Sequence, residues 1–335
     1  MIGLIFSGLS QAMTEEDDFE NFGKLEFDDK PLTEEIILPG WFKVSFLELQ
    51  EDIQEAGESN KRGLIVYFGQ KNCAYCKAQL ENNWGQKDIL SYTLKNFDVI
   101  AINVLGQQPV IGLDGKTYTE KSYAVAQNTN FTPSLVFYDL QGKEALRLRG
   151  YRPPYQFRAA LEYVADGHYK KEPFNIYLAR AEAAYSFGED HLNEHESFLP
   201  PPHILDRSHF AAQRPLLVMF ERRRCHACDV MHAGPLADMR IDKLLDKLDI
   251  VQLDMEADTP VITPEGKKIT SKQWASQLQL DYAPTLIFYD KKGVEIIRVD
   301  SVIWFYRLQA VLQYVISDGY IHYPNFQLWR QQKQK

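Results

Sequence analysis

The stretch TPSLVFYD at residues 132–139 returns at 283–290 as APTLIFYD, identical at five of eight positions. Three further pairs keep the same spacing to within one residue. FDVIAIN (97–103) answers to LDIVQLD (248–254), PVIGLDGKTYT (109–119) to PVITPEGKKIT (260–270), and FRAALEYVADG (157–167) to LQAVLQYVISDG (308–319). Register held across such a span marks a duplicated unit, and a period of about 150 residues is far beyond the 20–50 of a solenoid repeat. A chain of 335 residues therefore reads as two complete domains.

Each copy has the same order of elements. VSFLELQEDIQEA (44–56) has helical spacing, GLIVYFG (63–69) is a short buried strand, and KAQLENNW (77–84) is a polar helical stretch. A second buried strand (97–105), a hairpin tip and helix (114–130), two strands around Gly142, and a closing helix (155–167) follow. The second copy repeats this from PLLVMFE (215–221). The expected fold class is α/β, two tandem units, each a central mixed sheet flanked by helices. Expected boundaries are 1–12 a signal-peptide remnant, 13–34 an acidic N-terminal segment, 35–187 the first domain, 188–203 a linker and 204–335 the second domain. The Pro200-Pro201-Pro202 run in the linker cannot continue a helix and predicts a stiff spacer.

Only four cysteines are present, Cys73, Cys76, Cys225 and Cys228, all in C-x-x-C pairs. A disulfide-stapled scaffold would scatter its cysteines, so the usage points to redox or metal chemistry. Zinc clamps bring two pairs within about 15–20 residues of each other, whereas these pairs sit in separate domains. A c-type haem needs C-x-x-C-H, and here Lys77 and Asp229 follow. No cofactor and no metal are called for. Each pair falls after a buried strand and opens a helix, where unpaired N–H groups favour a thiolate. That assigns Cys73 and Cys225 as nucleophiles and Cys76 and Cys228 as resolving thiols. Flanking cations, Arg222 to Arg224 and His226 at the second site and Lys71 and Lys77 at the first, are expected to lower the thiol pKa. Arg224, His226 and Lys77 lie nearest in sequence, and the second site should be the more oxidising. The plainer reading leaves some of these arginines in solvent or paired with Glu221 and Asp229.

Strand, C-x-x-C, helix, strand, helix, then Thr-Pro or Ala-Pro opening a strand resembles the thioredoxin fold twice. CAYCK, GLDGKTYTEKSYA, TPSLVFYD, GKEALRLRGY and LEYVADGHYK resemble periplasmic thioredoxins of the SoxW type. The resemblance implies a thiol–disulfide oxidoreductase acting on protein disulfides, most simply a reductase, with an isomerase or a peptide-docking assembly factor as the alternative. It implies cis prolines at Pro133 and Pro284, with Thr132 and Ala283 offering backbone groups to an extended substrate. It also implies a membrane electron-transfer partner. The sequence departs from the family at the buried aspartate six residues before the first cysteine, where Tyr67 and Met219 stand.

A net charge of −9 provides no broad phosphate-binding surface, which argues against nucleic acid. No apolar run reaches the about 18 residues of a membrane span. MIGLIFSGLSQAM resembles the end of a secretory signal with cleavage after Ala12, though without a positive n-region, so a periplasmic location is expected. The eight acids of residues 14–30 read as a solvated lead-in. His191 and His195 have metal-ligand spacing, but no third ligand is in view, so the segment reads as polar and solvated. IWFYR (303–307) and HYPNFQLW (322–329) read as core or interface.

Overall fold

The computed structural model describes residues 28–182 and 191–333; the expected leader and most of the acidic lead-in lie outside them. The first half runs α1 (Leu49–Glu58), β1 (Gly63–Gly69), α2 (Ala74–Ala78) with a π-turn (Gln79–Asn83), α3 (Lys87–Asn96), β2 (Phe97–Asn103), β3 (Pro109–Ile111), β4 (Thr117–Thr119), α4 (Glu120–Ala126), β5 (Ser134–Asp139), β6 (Glu144–Arg149), α5 (Pro154–Ala165) and α6 (Phe174–Glu182). Its sheet has the order β2-β1-β5-β6. β1 pairs in parallel with β2 (Val66 opposite Ile100) and antiparallel with β5 (Val66 opposite Val136).

β1 carries no charged side chain because both faces are covered. Ile65 and Tyr67 point into one core with Phe97, Phe137 and Phe157, while Leu64, Val66 and Phe68 point into another with Ile53 and Tyr123. α1 starts later than its apolar spacing predicts. Leu47 takes a left-handed backbone (φ 62°) and its carbonyl accepts from Ile111 N, which ties residues 47 and 48 to β3 instead of a helix. α3 was not marked by the sequence pattern, its buried side being only Ile89 and Thr93.

The second half repeats the plan: β7 (His203–Ile204), β8 (Leu216–Glu221), α7 (His226–Ala233), α8 (Met239–Leu245), β9 (Asp249–Asp254), β10 (Pro260–Ile262), β11 (Lys268–Thr270), α9 (Ser271–Gln277), β12 (Thr285–Tyr289), β13 (Glu295–Val299), α10 (Phe305–Ile316), α11 (Gly319–His322) and α12 (Phe326–Lys333). Its sheet order is β9-β8-β12-β13. Among the described residues no helix is long and apolar enough to cross a membrane.

Two segments differ from the sequence expectation. The linker is docked on the second half: Phe198 bridges Ile250, Asn193 Nδ2 donates to Asp229, and His203–Ile204 adds a parallel strand to β10. His195 is packed beside Phe198 and His232, with Nε2 3.5 Å from Asp242, and is not solvated. Asp29, counted with the acidic lead-in, is buried. Apolar contact and local hydrogen bonds outweigh the polar composition at both places.

The halves meet through matching elements. Gly150 (φ 87°) packs against Ser301 so closely that a Cβ there would lie 2.2 Å from the Ser301 hydroxyl. Val302 N donates to Tyr151 O. Phe131 packs in the core of the second half, and Tyr282, with Val302, packs in the core of the first. Phe131 and Tyr282 hold the same place in the repeat, two residues before the conserved-register Pro133 and Pro284. Each half thus plants one aromatic ring in the other.

Candidate functional site

Each C-x-x-C lies at the junction of a central strand and a helix, as the sequence order expects. β1 ends at Gly69 and β8 at Glu221, and a short turn from each strand delivers Cys73 and Cys225. Both are N-cap residues with extended backbone (φ −120° and −113°). Cys73 Sγ accepts from Cys76 N at 3.0 Å and Cys225 Sγ from Cys228 N at 3.1 Å. A sulfur held against a helix N–H gains as its charge becomes negative. Both pairs are disulfide-bonded, with Cα atoms 5.1 and 5.2 Å apart. The second cysteine of each pair is the deeper one, with Cys76 and Cys228 at most 1 % exposed.

The Thr132–Pro133 and Ala283–Pro284 bonds are cis. These loops bring a carbonyl to the sulfur: Thr132 O lies 3.5 Å from Cys73 Sγ, and Ala283 O lies 3.7 Å from Cys225 Sγ. Thr132 Oγ1 adds a 3.3 Å contact to Cys73 and accepts from Gln70 Nε2. The loops are braced alike, by Ser134 donating to Phe131 O and Thr285 donating to Tyr282 O. Thr132, Pro133, Ala283 and Pro284 are all buried; Arg307 of the second half reaches the Thr132 carbonyl, while Ala283 packs against Cys225 and Cys228 of its own half.

The first site borrows from distant chain. Tyr75, between the cysteines, donates its hydroxyl to Asp29 Oδ2 at 2.8 Å and accepts there from Trp304 N. Asp29 also accepts from the backbone N–H groups of Tyr306 and Arg307, at the start of α10. Burial pushes the Tyr75 phenol well above its ordinary range. Arg307 lies over the Tyr75 ring, 3.4 Å from the centroid, and its Nη2 donates to Thr132 O at 2.7 Å. None of Asp29, Trp304 or Arg307 carries a sequence signal for this site, since nothing in spacing links them to residue 73.

The second site has a buried acid instead. Glu221 is fully buried; its Oε1 meets His232 Nε2 at 2.8 Å and its Oε2 accepts from Gln252 Nε2 at 2.9 Å. His232 stands one turn beyond Cys228 on α7, so the two share a face. The first half has Gly69, Leu80 and Ala101 at the corresponding places. Glu221 is therefore not the counter-ion of the neighbouring arginines, and Asp229 is engaged by Asn193. Arg223 pairs with Asp254 at 3.4 Å, and Arg223 and Arg224 are exposed. His226 is half-buried. Lys77 is exposed, 3.9 Å from Glu81, and Lys71 pairs with Glu35. Tyr67 and Met219 lie in the sheet cores, where the resemblance would place an aspartate. No group of three or more His, Cys, Asp or Glu among the described residues is placed to hold a metal.

The family comparison agrees with this geometry. The thioredoxin-like domain profile matches residues 49–165 and again 210–316. No curated protein matches the chain. Among solved structures, a thioredoxin-fold protein from Helicobacter pylori is 26% identical over 38% of this chain and 83% of its own, with a TM-score of 0.32. A DsbH oxidoreductase is 12% identical over 41% of this chain and 92% of its own, with a TM-score of 0.27. The N-terminal domain of the alkylhydroperoxide reductase AhpF from Enterococcus faecalis is 13% identical over 78% of this chain and 97% of its own, with a TM-score of 0.24. With a C-x-x-C disulfide inside each matched span, the chain belongs to the thioredoxin-like family and is a tandem thiol–disulfide oxidoreductase.

Proposed function

We propose that the protein reduces protein disulfides in the periplasm. Cys73 or Cys225, as thiolate, attacks a substrate disulfide. A mixed disulfide forms, the substrate S–S bond breaks, and the departing substrate thiolate takes a proton from water. Cys76 or Cys228 then loses its proton to solvent and attacks the first cysteine. This closes the intrachain disulfide and releases the second substrate thiol, so two electrons have passed to substrate. A membrane electron-transfer protein with a dithiol returns the two electrons.

The observation that carries the reading is the repeated placement of a capped sulfur 3.5 to 3.7 Å from the carbonyl before a proline loop. An extended peptide pairing with Thr132 or Ala283 would bring its own disulfide to that sulfur. Export accords with an N-terminal stretch that ends in small residues, and with cysteines used only in redox pairs.

The test is insulin reduction driven by dithiothreitol. The intact protein and each single-site variant (Cys73→Ser with Cys76→Ser, or Cys225→Ser with Cys228→Ser) should accelerate precipitation. The fourfold serine variant should not. An intact protein no faster than dithiothreitol alone would instead favour a peptide-docking assembly factor. N-terminal sequencing of the exported chain should begin near Met13.

A further inference from the structure

Arg307 is a buried cation whose surroundings leave it incompletely met. Nη2 donates to Thr132 O, but Nη1 finds no hydrogen-bond partner among the described residues. Asp29 lines the same cleft and its charge holds the Arg307 pKa up, but its hydrogen bonds go to the Tyr75 hydroxyl and two backbone N–H groups. A buried charged group with an unmet N–H is costly to keep. Its opposite number differs in having a salt bridge: Arg152, equally buried and also with one unmet N–H (Nε), pairs with Asp281 at 3.2 Å.

The missing partner lies one carbonyl away. Thr132 O, which takes the Arg307 hydrogen bond, is the same oxygen that stands 3.5 Å from Cys73 Sγ. The cleft beside this sulfur is lined by Gln70, Cys73, Tyr75, Asp29, Arg307 and Arg330. Its titratable groups are thus one carboxylate, one phenol and two guanidinium groups besides the thiol. Burial pulls the Arg307 pKa down to about 10; Tyr75 and Asp29 hold it up and Arg330 pulls it down, and it is still charged at neutral pH.

We propose that Arg307 of the second half is the charge partner of the Cys73 thiolate in the first. When a dithiol reduces the Cys73–Cys76 disulfide, it gives up two electrons and two protons and closes to its own disulfide. One proton stays on Cys76, the other goes to solvent, and Cys73 is left as thiolate. The guanidinium, whose Nη1 has no partner in the oxidised state, then has a second negative charge beside Asp29 in its cleft. The reduced form of the first site is stabilised by a side chain that the first half does not contain. At the matching place in α5 the first half has Gln156, which cannot return the service to Cys225. This rests on Cys73 being the attacking sulfur, and the test needs no protein substrate, so it fails separately from the insulin assay.

The experiment uses the full chain with Cys225→Ser and Cys228→Ser. Thiolate absorbance is followed against pH, and the Cys73–Cys76 equilibrium is titrated in dithiothreitol buffers, with alkylation under denaturing conditions and mass spectrometry. Cys73 should titrate well below the ordinary value of about 8.5. Arg307→Gln should raise that pKa by about one unit or more and shift the equilibrium roughly tenfold toward the disulfide, and Arg307→Lys should recover much of both. A folded Arg307→Gln variant that moves neither quantity overturns the proposal. So does a Cys73 that titrates near 8.5 with Arg307 intact, a result that needs no variant at 307 to fold.

Discussion

Two arginines cross the interface in opposite directions. Arg152 of the first half lies over Tyr282, and Arg307 of the second lies over Phe131, at 4.6 and 5.4 Å from the ring centroids. Both rings stand two residues before a proline loop. Each has one unmet N–H, Nε of Arg152 and Nη1 of Arg307, but Arg152 has a salt bridge to Asp281 with Asp300 nearby, while Arg307 shares its cleft with the Cys73 sulfur. Duplication supplied both halves with the same loop and the same aromatic anchor. The difference lies in whether the buried charge was given a salt bridge. A closed pair can only hold the halves together, whereas an open one can respond to the redox state of its neighbour.

The anchor rings offer the largest effect. Phe131→Ala removes a buried aromatic from the core of the other half and should cost about 3–5 kcal/mol. Hydrogen exchange by mass spectrometry should find the lost protection in β8 and β12 as well as around residue 131. Tyr282→Ala should do the reverse, loosening β1 and β5. If exchange rises only in the half that carries the substitution, the rings are not mutual anchors.

The closed pair comes next. Arg152→Ala leaves Asp281 without its partner and should cost about 3 kcal/mol at pH 7, read by urea denaturation, while leaving the Cys73 equilibrium where it was. Burial already raises the Asp300 carboxyl above its ordinary range, and Arg152 is the first of the charges that oppose this. Without Arg152 the folded-state pKa climbs further. The folded state then binds protons more readily than the unfolded chain, so stability falls as pH rises through that interval. The cost of Arg152→Ala should accordingly be smaller at pH 4 than at pH 7, and an equal cost at both would remove Asp300 from the account.

Tyr75→Phe probes the other arginine's footing. It deletes the hydroxyl shared by Asp29 and the Trp304 N–H, leaving two buried groups short of a bond, at a cost of about 1–3 kcal/mol. The ring that Arg307 covers is kept, so the Cys73 equilibrium should shift less than in Arg307→Gln. A larger shift would make the hydroxyl, not the guanidinium, the group that matters.

What could be read from the sequence follows from range. Strands buried on both faces, capped cysteines and hairpin tips are local patterns, and the repeat let each be read twice. Asp29 was hidden in an acidic run whose composition says solvent, although three hydrogen bonds hold it. The 191–204 segment read as a spacer because its proline run is local, while its pairing with β9 and β10 is not. Glu221 read as a partner for arginines beside it in sequence, yet its side chain points inward to His232 and Gln252. Arg307 lies 175 positions from the carbonyl it binds, and no periodicity joins them.

The smallest effect concerns the arginines that the sequence made most conspicuous. Arg223 and Arg224 flank Cys225 but are exposed, where ions screen a charge within about 10 Å at 0.1 M salt and less at higher salt. Their help to a Cys225 thiolate should therefore fade as salt is added. A guanidinium inside the protein is shielded from those ions. Raising sodium chloride from about 0.05 to 0.5 M should slow iodoacetamide alkylation of Cys225 roughly two- to threefold, with the apparent pKa of Cys73 nearly still. Substituting Arg223 and Arg224 by glutamine should abolish the salt effect on Cys225 and leave Cys73 untouched. Equal salt dependence at the two sulfurs would mean that both are tuned from the surface, and the contrast between an internal and an external charge would be lost.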